Sequence, residues 1–223
     1  MTICGRTSLG KKALMAITGL MLLGFVIMHL LGNLNIFLGP AALNGYAEKL
    51  RHFGPLLWVA RLGLLGAVVV HIWTAVALTV ENRRARPVAY QQYAPAATGP
   101  AALTMGLTGI LLLSYIVYHL LHFTFGKAHP QFYGAVDAQG RHDVYRMVVG
   151  SFSVPGISLV YVLAMALLCF HLSHGIASTC QTLGVSTERT RPLIERGSRL
   201  LAILLFLGYS AIPLAVLLGA IRP

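Results

Sequence analysis

The chain has 223 residues, 57% of them hydrophobic and only 10% charged, against roughly 25% charged in an ordinary soluble domain. That balance argues against a water-solvated globule and makes the bilayer its solvent. The formal charge of +11 comes without a basic stripe interleaved with aromatics, which argues against nucleic-acid binding; basic residues also gather at the cytoplasmic ends of membrane helices.

Taken in chain order, five apolar stretches are predicted to cross the membrane. Arg6, Lys11 and Lys12 precede the first, which runs past Gly24 and His29 to Phe37. It is too long for a signal-peptide core and lacks a clear A-x-A site, so it reads as helix I, over about 12–38. Helices II to V are expected over about 56–80, 101–125, 155–181 and 198–221. Each has about 24–27 residues, enough to span about 30 Å of hydrocarbon with some tilt. Between helices II and III, Tyr90, Gln91, Gln92, Tyr93 and Pro95 mark a turn-rich connector over 87–100. Between helices III and IV, residues 126–150 hold His129, Pro130, Asp137, Gly140, His142 and Asp143, and read as an ordered polar cap.

Lys and Arg set the orientation. Ten lie on the side of the N-terminus: Arg6, Lys11, Lys12, Arg83, Arg84, Arg86, Arg189, Arg191, Arg196 and Arg199. Seven lie opposite: Lys49, Arg51, Arg61, Lys127, Arg141, Arg146 and Arg222. The excess puts the N-terminus in the cytoplasm and the C-terminus outside. The expected fold is therefore an all-α, five-transmembrane-helix bundle, with residues 1–223 forming a single transmembrane domain. No solenoid-type repeat is apparent, and the helix glycines Gly19, Gly24, Gly63, Gly66, Gly106, Gly109 and Gly175 suit close helix packing as well as room for a flat ligand.

Four of these segments each carry a histidine deep inside: His29, His71, His119 and His171. A histidine at membrane depth is costly unless something binds it, so it reads by default as functional. At a rise of about 1.5 Å per residue, His29 lies roughly 25 Å and His119 roughly 27 Å from the cytoplasmic end, and His71 and His171 roughly 15 Å. Two layers follow: an outer pair, His29 with His119, and an inner pair, His71 with His171. Two pairs of facing imidazoles can clamp two metal macrocycles, the pattern of a di-haem membrane cytochrome. Double imidazole ligation fills both axial positions of a haem iron, which leaves no oxygen site and favours electron transfer. The three cysteines Cys4, Cys169 and Cys180 show no CxxC or CxxCH spacing, so covalent c-type haem and thiolate-bound clusters are not expected. His122 and His174 each follow a ligand candidate by three residues, on nearly the same helix face; they are expected to meet a haem propionate or a quinone. His52, His129 and His142 are expected to be solvated loop residues.

The segments Phe25-Val-Ile-Met-His29-Leu-Leu-Gly-Asn33, Val69-Val-His71, Tyr118-His119-Leu-Leu-His122-Phe123 and Cys169-Phe-His171-Leu-Ser-His174-Gly175 resemble the cytochrome b558 subunits of succinate:quinone oxidoreductases. These are the single-subunit, five-helix, di-haem membrane anchors also found in related fumarate reductases, and the resemblance covers essentially the whole chain. It implies two b-type haems, a flavoprotein partner with FAD and an iron–sulfur partner on the cytoplasmic side of a bacterial membrane, and electron transfer to a quinone, often menaquinone. By position, His71 and His171 match the ligands of the haem nearer the clusters, and His29 and His119 those of the distal one. One departure concerns the glutamate that lies two residues before the fourth haem histidine in some quinol-oxidising members and carries protons: here that position is Cys169. The outer quinone site of the family uses an acid near the first outer loop; Glu48 is the acid there, and Asn33 and Tyr46 are expected to line the site with it. Two other classes fit the histidines: a di-haem anchor of another oxidoreductase, such as a hydrogenase or nitrate reductase, and a histidine-rich metal transporter. The transporter would want intramembrane carboxylates, which the interiors of helices I, III, IV and V lack.

Overall fold

The structure is a computed structural model that describes residues 7–85 and 104–222. The connector 87–100, Cys4, Arg6, Arg86 and the expected first residues of helix III lie outside the described residues.

Helix α1 spans Ser8–Asn33. It starts where Thr7 accepts a hydrogen bond from the Gly10 N–H at 3.1 Å, satisfying one of the donors that a helix start leaves open. It tightens into a 3₁₀ turn, Leu34–Leu38, and stops at Gly39, whose φ of 94° suits glycine. A short helix α2, Pro40–His52, follows and ends before Gly54, at φ 49°. Helix α3 is Pro55–Arg84 and α4 is Met105–His119, the latter continuing as a π turn over Leu120–Thr124. A 3₁₀ turn Pro130–Phe132 and helix α5, Val144–Phe152, lead to α6, Pro155–Thr182, and α7, Arg191–Leu217. Among the described residues no strand forms; Val136 and His142 make an isolated bridge.

Five helical stretches are long and apolar enough to cross a membrane: Ser8–Leu38, Pro55–Arg84, Met105–Thr124, Pro155–Thr182 and Arg191–Leu217. The protein is an all-α membrane bundle. In its interior α1 packs on α3 and α6, α4 on α6, and α6 on α7. Large apolar side chains such as Met28, Leu62, Val76, Ile110, Leu163 and Leu204 stand exposed along the spans, as they must when the surrounding solvent is lipid and every backbone group is satisfied within its helix.

The best-buried cluster is not at mid-bundle but at one end. Ile36, Leu43, Tyr145, Val149, Phe152, Ile157, Tyr161, Ile212, Val216 and Ile221 pack there, where α2 and α5 fold over the ends of α6 and α7. Residues 126–150 are thus more than a polar cap: α5 inserts Tyr145, Met147, Val149 and Phe152 into a core of its own. A cap in contact with water must bury apolar surface to stay ordered, which a membrane helix need not do. At the opposite end the partly buried ammonium of Lys11 pairs with Glu81, tying the start of α1 to the end of α3.

Candidate functional site: two histidine pairs between the helices

The four intramembrane histidines meet as two pairs. His29 of α1 and His119 of α4 have ring centroids 5.9 Å apart, with their planes at 86°. His71 of α3 and His171 of α6 are 6.5 Å apart, at 61°. Each pair joins two helices, and no histidine of one layer is shared with the other.

The outer pair lies in an aromatic shell. Phe25 stacks on His29 at 5.2 Å. Tyr209 of α7 lies 6.3 Å from the same ring, and its hydroxyl donates to the Val26 carbonyl at 2.7 Å. His119 has Tyr115 at 5.8 Å, Phe123 at 5.7 Å and Tyr161 at 6.0 Å. The Tyr161 hydroxyl stands 3.5 Å from His119 Nδ1.

The inner pair is held differently. The Thr18 hydroxyl lies 3.3 Å from His71 Nδ1, and the Thr108 hydroxyl 3.2 Å from His171 Nδ1. Gly19 and Gly109, the next residues along, face the same two rings: a Cβ there would sit 3.4 Å from His71 Cε1 and 3.7 Å from His171 Cε1. Sequence reasoning passed over both threonines.

His122 is 1% exposed. Its Nδ1 is 2.9 Å from the Tyr161 hydroxyl and its Nε2 2.9 Å from the Ser151 hydroxyl. Both ring nitrogens are thus engaged within the protein, and the expected propionate or quinone contact finds neither of them open. His174 is partly buried on α6, one turn beyond His171. His129 is not solvated as expected: its Nε2 is 2.9 Å from the Tyr118 hydroxyl, and its ring lies 4.6 Å from that of His122. His142 packs on Tyr133 at 5.0 Å; burial, with Arg51 nearby, holds its pKa below the usual histidine value despite Asp143. His52 is exposed, beside the Glu48 carbonyl at 3.0 Å.

The three residues nominated for a quinone lie at the capped end. Asn33 closes α1, four residues after His29. Tyr46 of α2 lies so close over Gly32 that a Cβ there would be 2.5 Å from its hydroxyl oxygen, so any larger residue would displace the Tyr46 ring. Glu48 faces Arg141 at 3.7 Å. The anchor of this end is a residue that sequence reasoning missed, Asn44, 1% exposed. Its amide N–H groups donate to Asp137 at 3.2 Å and Asp143 at 3.0 Å, and its carbonyl accepts from the Tyr145 N–H at 2.9 Å.

The model of one protein family, the succinate dehydrogenase/fumarate reductase transmembrane subunit, matches residues 79–209. The chain belongs to that family. Comparison with curated proteins and with solved structures found no match. The matched stretch runs from the last turns of α3 to Tyr209 of α7, more than half of this transmembrane subunit. It contains His119, His171, Thr108 and Tyr161 and leaves out His29 and His71, which join the site through the geometry alone.

Proposed function

We propose that this subunit is a membrane-anchor cytochrome b of a succinate:quinone oxidoreductase, binding two b-type haems and passing electrons from an iron–sulfur partner to a quinone. The observation that carries the reading is the meeting of four intramembrane imidazoles as two pairs. His29 with His119, and His71 with His171, would each hold one such haem between them, their ring centroids 5.9 and 6.5 Å apart. A haem held by two imidazoles would supply reversible one-electron chemistry.

His71 and His171 hold the inner group, nearer the cytoplasm, and His29 and His119 the outer one. Phe25, Tyr115, Phe123 and Tyr209 keep water from the outer pair. His174 is a candidate contact for a propionate or a quinone, while His122 acts on the outer pair through Tyr161. The N-terminus lies in the cytoplasm of a bacterium, the C-terminus outside, and residues 1–223 form one domain. A flavoprotein subunit with FAD and an iron–sulfur subunit dock on the cytoplasmic face, where the ten basic residues gather.

The test is stoichiometry. A pyridine haemochrome assay of the purified complex is expected to give two b haems per chain; one haem or none overturns the reading.

The quinone, menaquinone by expectation, binds near the outer pair, beside Asn33, Tyr46 and Glu48. Support comes from the packing of Tyr46 on Gly32, three residues and about 4.5 Å beyond His29. Electrons that cross to an outer site feel the membrane potential, about 2.3 kcal/mol per charge per 100 mV. Collapsing that potential is expected to slow succinate oxidation by menaquinone in intact cells, and Glu48→Gln to lower quinone activity. An unchanged rate together with a fully active Glu48→Gln variant would move the quinone to the inner pair, beside His174.

A further inference from the structure

Two segments of the chain repeat one pattern. Ile17-Thr18-Gly19 on α1 is followed by His29, and Leu107-Thr108-Gly109 on α4 by His119, with the same threonine-to-histidine spacing in both. That spacing is about three helical turns. Threonine and histidine therefore share a helix face, about 16 Å apart along it. The histidine of each segment joins the outer pair. The threonine of each reaches across to the inner pair, Thr18 to His71 and Thr108 to His171.

The hydrogen bonds decide which way each imidazole is used. A hydroxyl has a single proton to give. Thr18 faces the Leu14 and Met15 carbonyls at 2.8 and 3.2 Å, the Met15 carbonyl also facing His71, and Thr108 the Thr104 and Met105 carbonyls at 3.0 and 3.1 Å; variants of Thr108 are therefore the cleaner test. A carbonyl can only accept, so each hydroxyl donates to its own helix and offers the imidazole a lone pair. Nδ1 of His71 and of His171 then carries the ring proton, and Nε2 is the nitrogen left free to bind a metal. The glycine after each threonine lies beside the same ring, where a Cβ would make an ordinary contact of 3.4 Å with His71 and 3.7 Å with His171.

We infer that Thr18 and Thr108 are positioning residues that commit Nε2 of His71 and His171 to the metal and raise the donor strength of the inner pair. The inference rests on the two-haem reading above. An acceptor on the far N–H of a metal-bound imidazole fixes the ring and makes it more basic, which favours the oxidised metal. Loss of the acceptor should raise the midpoint potential of the inner haem and leave the outer one alone.

The experiment uses the assembled complex with Thr18→Val, Thr108→Val, the double variant, and Thr18→Ser and Thr108→Ser. Valine keeps the branched shape and removes the hydroxyl; Thr18→Ala and Thr108→Ala give the same readout if a valine variant does not assemble. Each haem is followed by optical redox titration, and the oxidised protein by electron paramagnetic resonance. The expected result is retention of both haems and an upward shift in one midpoint. One low-spin ferric signal should move with it, further in the double variant, and both should return to wild type with serine. Variants whose two haems titrate and resonate as in wild type overturn the inference, as does a shift confined to the outer haem. A wild-type complex with fewer than two haems overturns the two-haem reading itself, whatever the threonine variants do.

Discussion

Replacing His71 or His171 by alanine is expected to remove one of the two haems and to disconnect succinate oxidation from the quinone. Replacing His29 or His119 should remove the other. The expectation follows from the pairing across helices: each proposed haem depends on two ligands, from α3 and α6 or from α1 and α4. An alanine leaves the partner imidazole facing a void in an apolar interior. Since no ring is shared between layers, the surviving pair has no reason to fail with its neighbour. Haem content should therefore fall by half rather than to zero, and the optical band that remains should differ between the two classes of variant. His122→Ala is the control that separates a ligand from a neighbour. It leaves the buried Tyr161 hydroxyl without its 2.9 Å partner, a cost of about 1–3 kcal/mol in stability, but both haems should stay. Loss of a haem in His122→Ala with retention in His119→Ala would exchange the roles of the two residues on α4. Separation of the optical bands after each single replacement is the measurement that checks the layer assignment.

The placement of His122 shows where reading the sequence stops. Its spacing from His119 predicts one shared face, because it assumes an α-helix throughout. The helix instead opens into a π turn at Leu120, where the Phe125 N–H reaches the Leu120 carbonyl at 2.9 Å. At that wider turn His122 meets Tyr161 and Ser151 rather than the His29 ring that His119 faces. The five spans and the pairing of the four histidines were legible because both depend on rise alone, and long apolar runs fix the rise well. Helix α2 was not: at Pro40–His52 it is too short and too polar to register as a span, so Asn44 passed as a loop residue. The core of α5 was hidden among the polar residues of 126–150. Thr18 and Thr108 were visible, but a threonine bonded to its own helix is ordinary in a membrane span. Only the imidazole opposite distinguishes these two.

Asn44→Ala is expected to loosen the capped end of the bundle before it disturbs either histidine pair. Asn44 is the polar bridge from α2 to the start of α5, joining Asp137, Asp143 and the buried Tyr145 N–H. Its removal strands that N–H, at a cost of about 1–3 kcal/mol, and takes a shared donor from two carboxylates. Acid should do the same more gradually. Burial alone would raise the pKa of Asp137, but donors from the Arg141 backbone and side chain, the Gln139 N–H and Asn44 outweigh it and hold the carboxyl below its usual value. A lowered folded value means that the stabilisation is fully present above the unfolded value of about 3.9 and is lost as pH falls through the folded one. In wild type the cap should therefore stay closed down to about pH 4 and open below it. In Asn44→Ala one donor is gone and the Asp137 value moves back toward the ordinary one, so the cap should be looser already at neutral pH and the acid-dependent part of its stability smaller. Hydrogen exchange across 137–149 as a function of pH reads this directly, with the haem spectrum as an internal control. Because α2 also carries Tyr46 and Glu48, quinone activity should fall with the loosening while both haems remain. Exchange in Asn44→Ala that matches wild type at every pH would show that the apolar packing of Tyr145, Val149 and Phe152 holds the cap without the polar bridge.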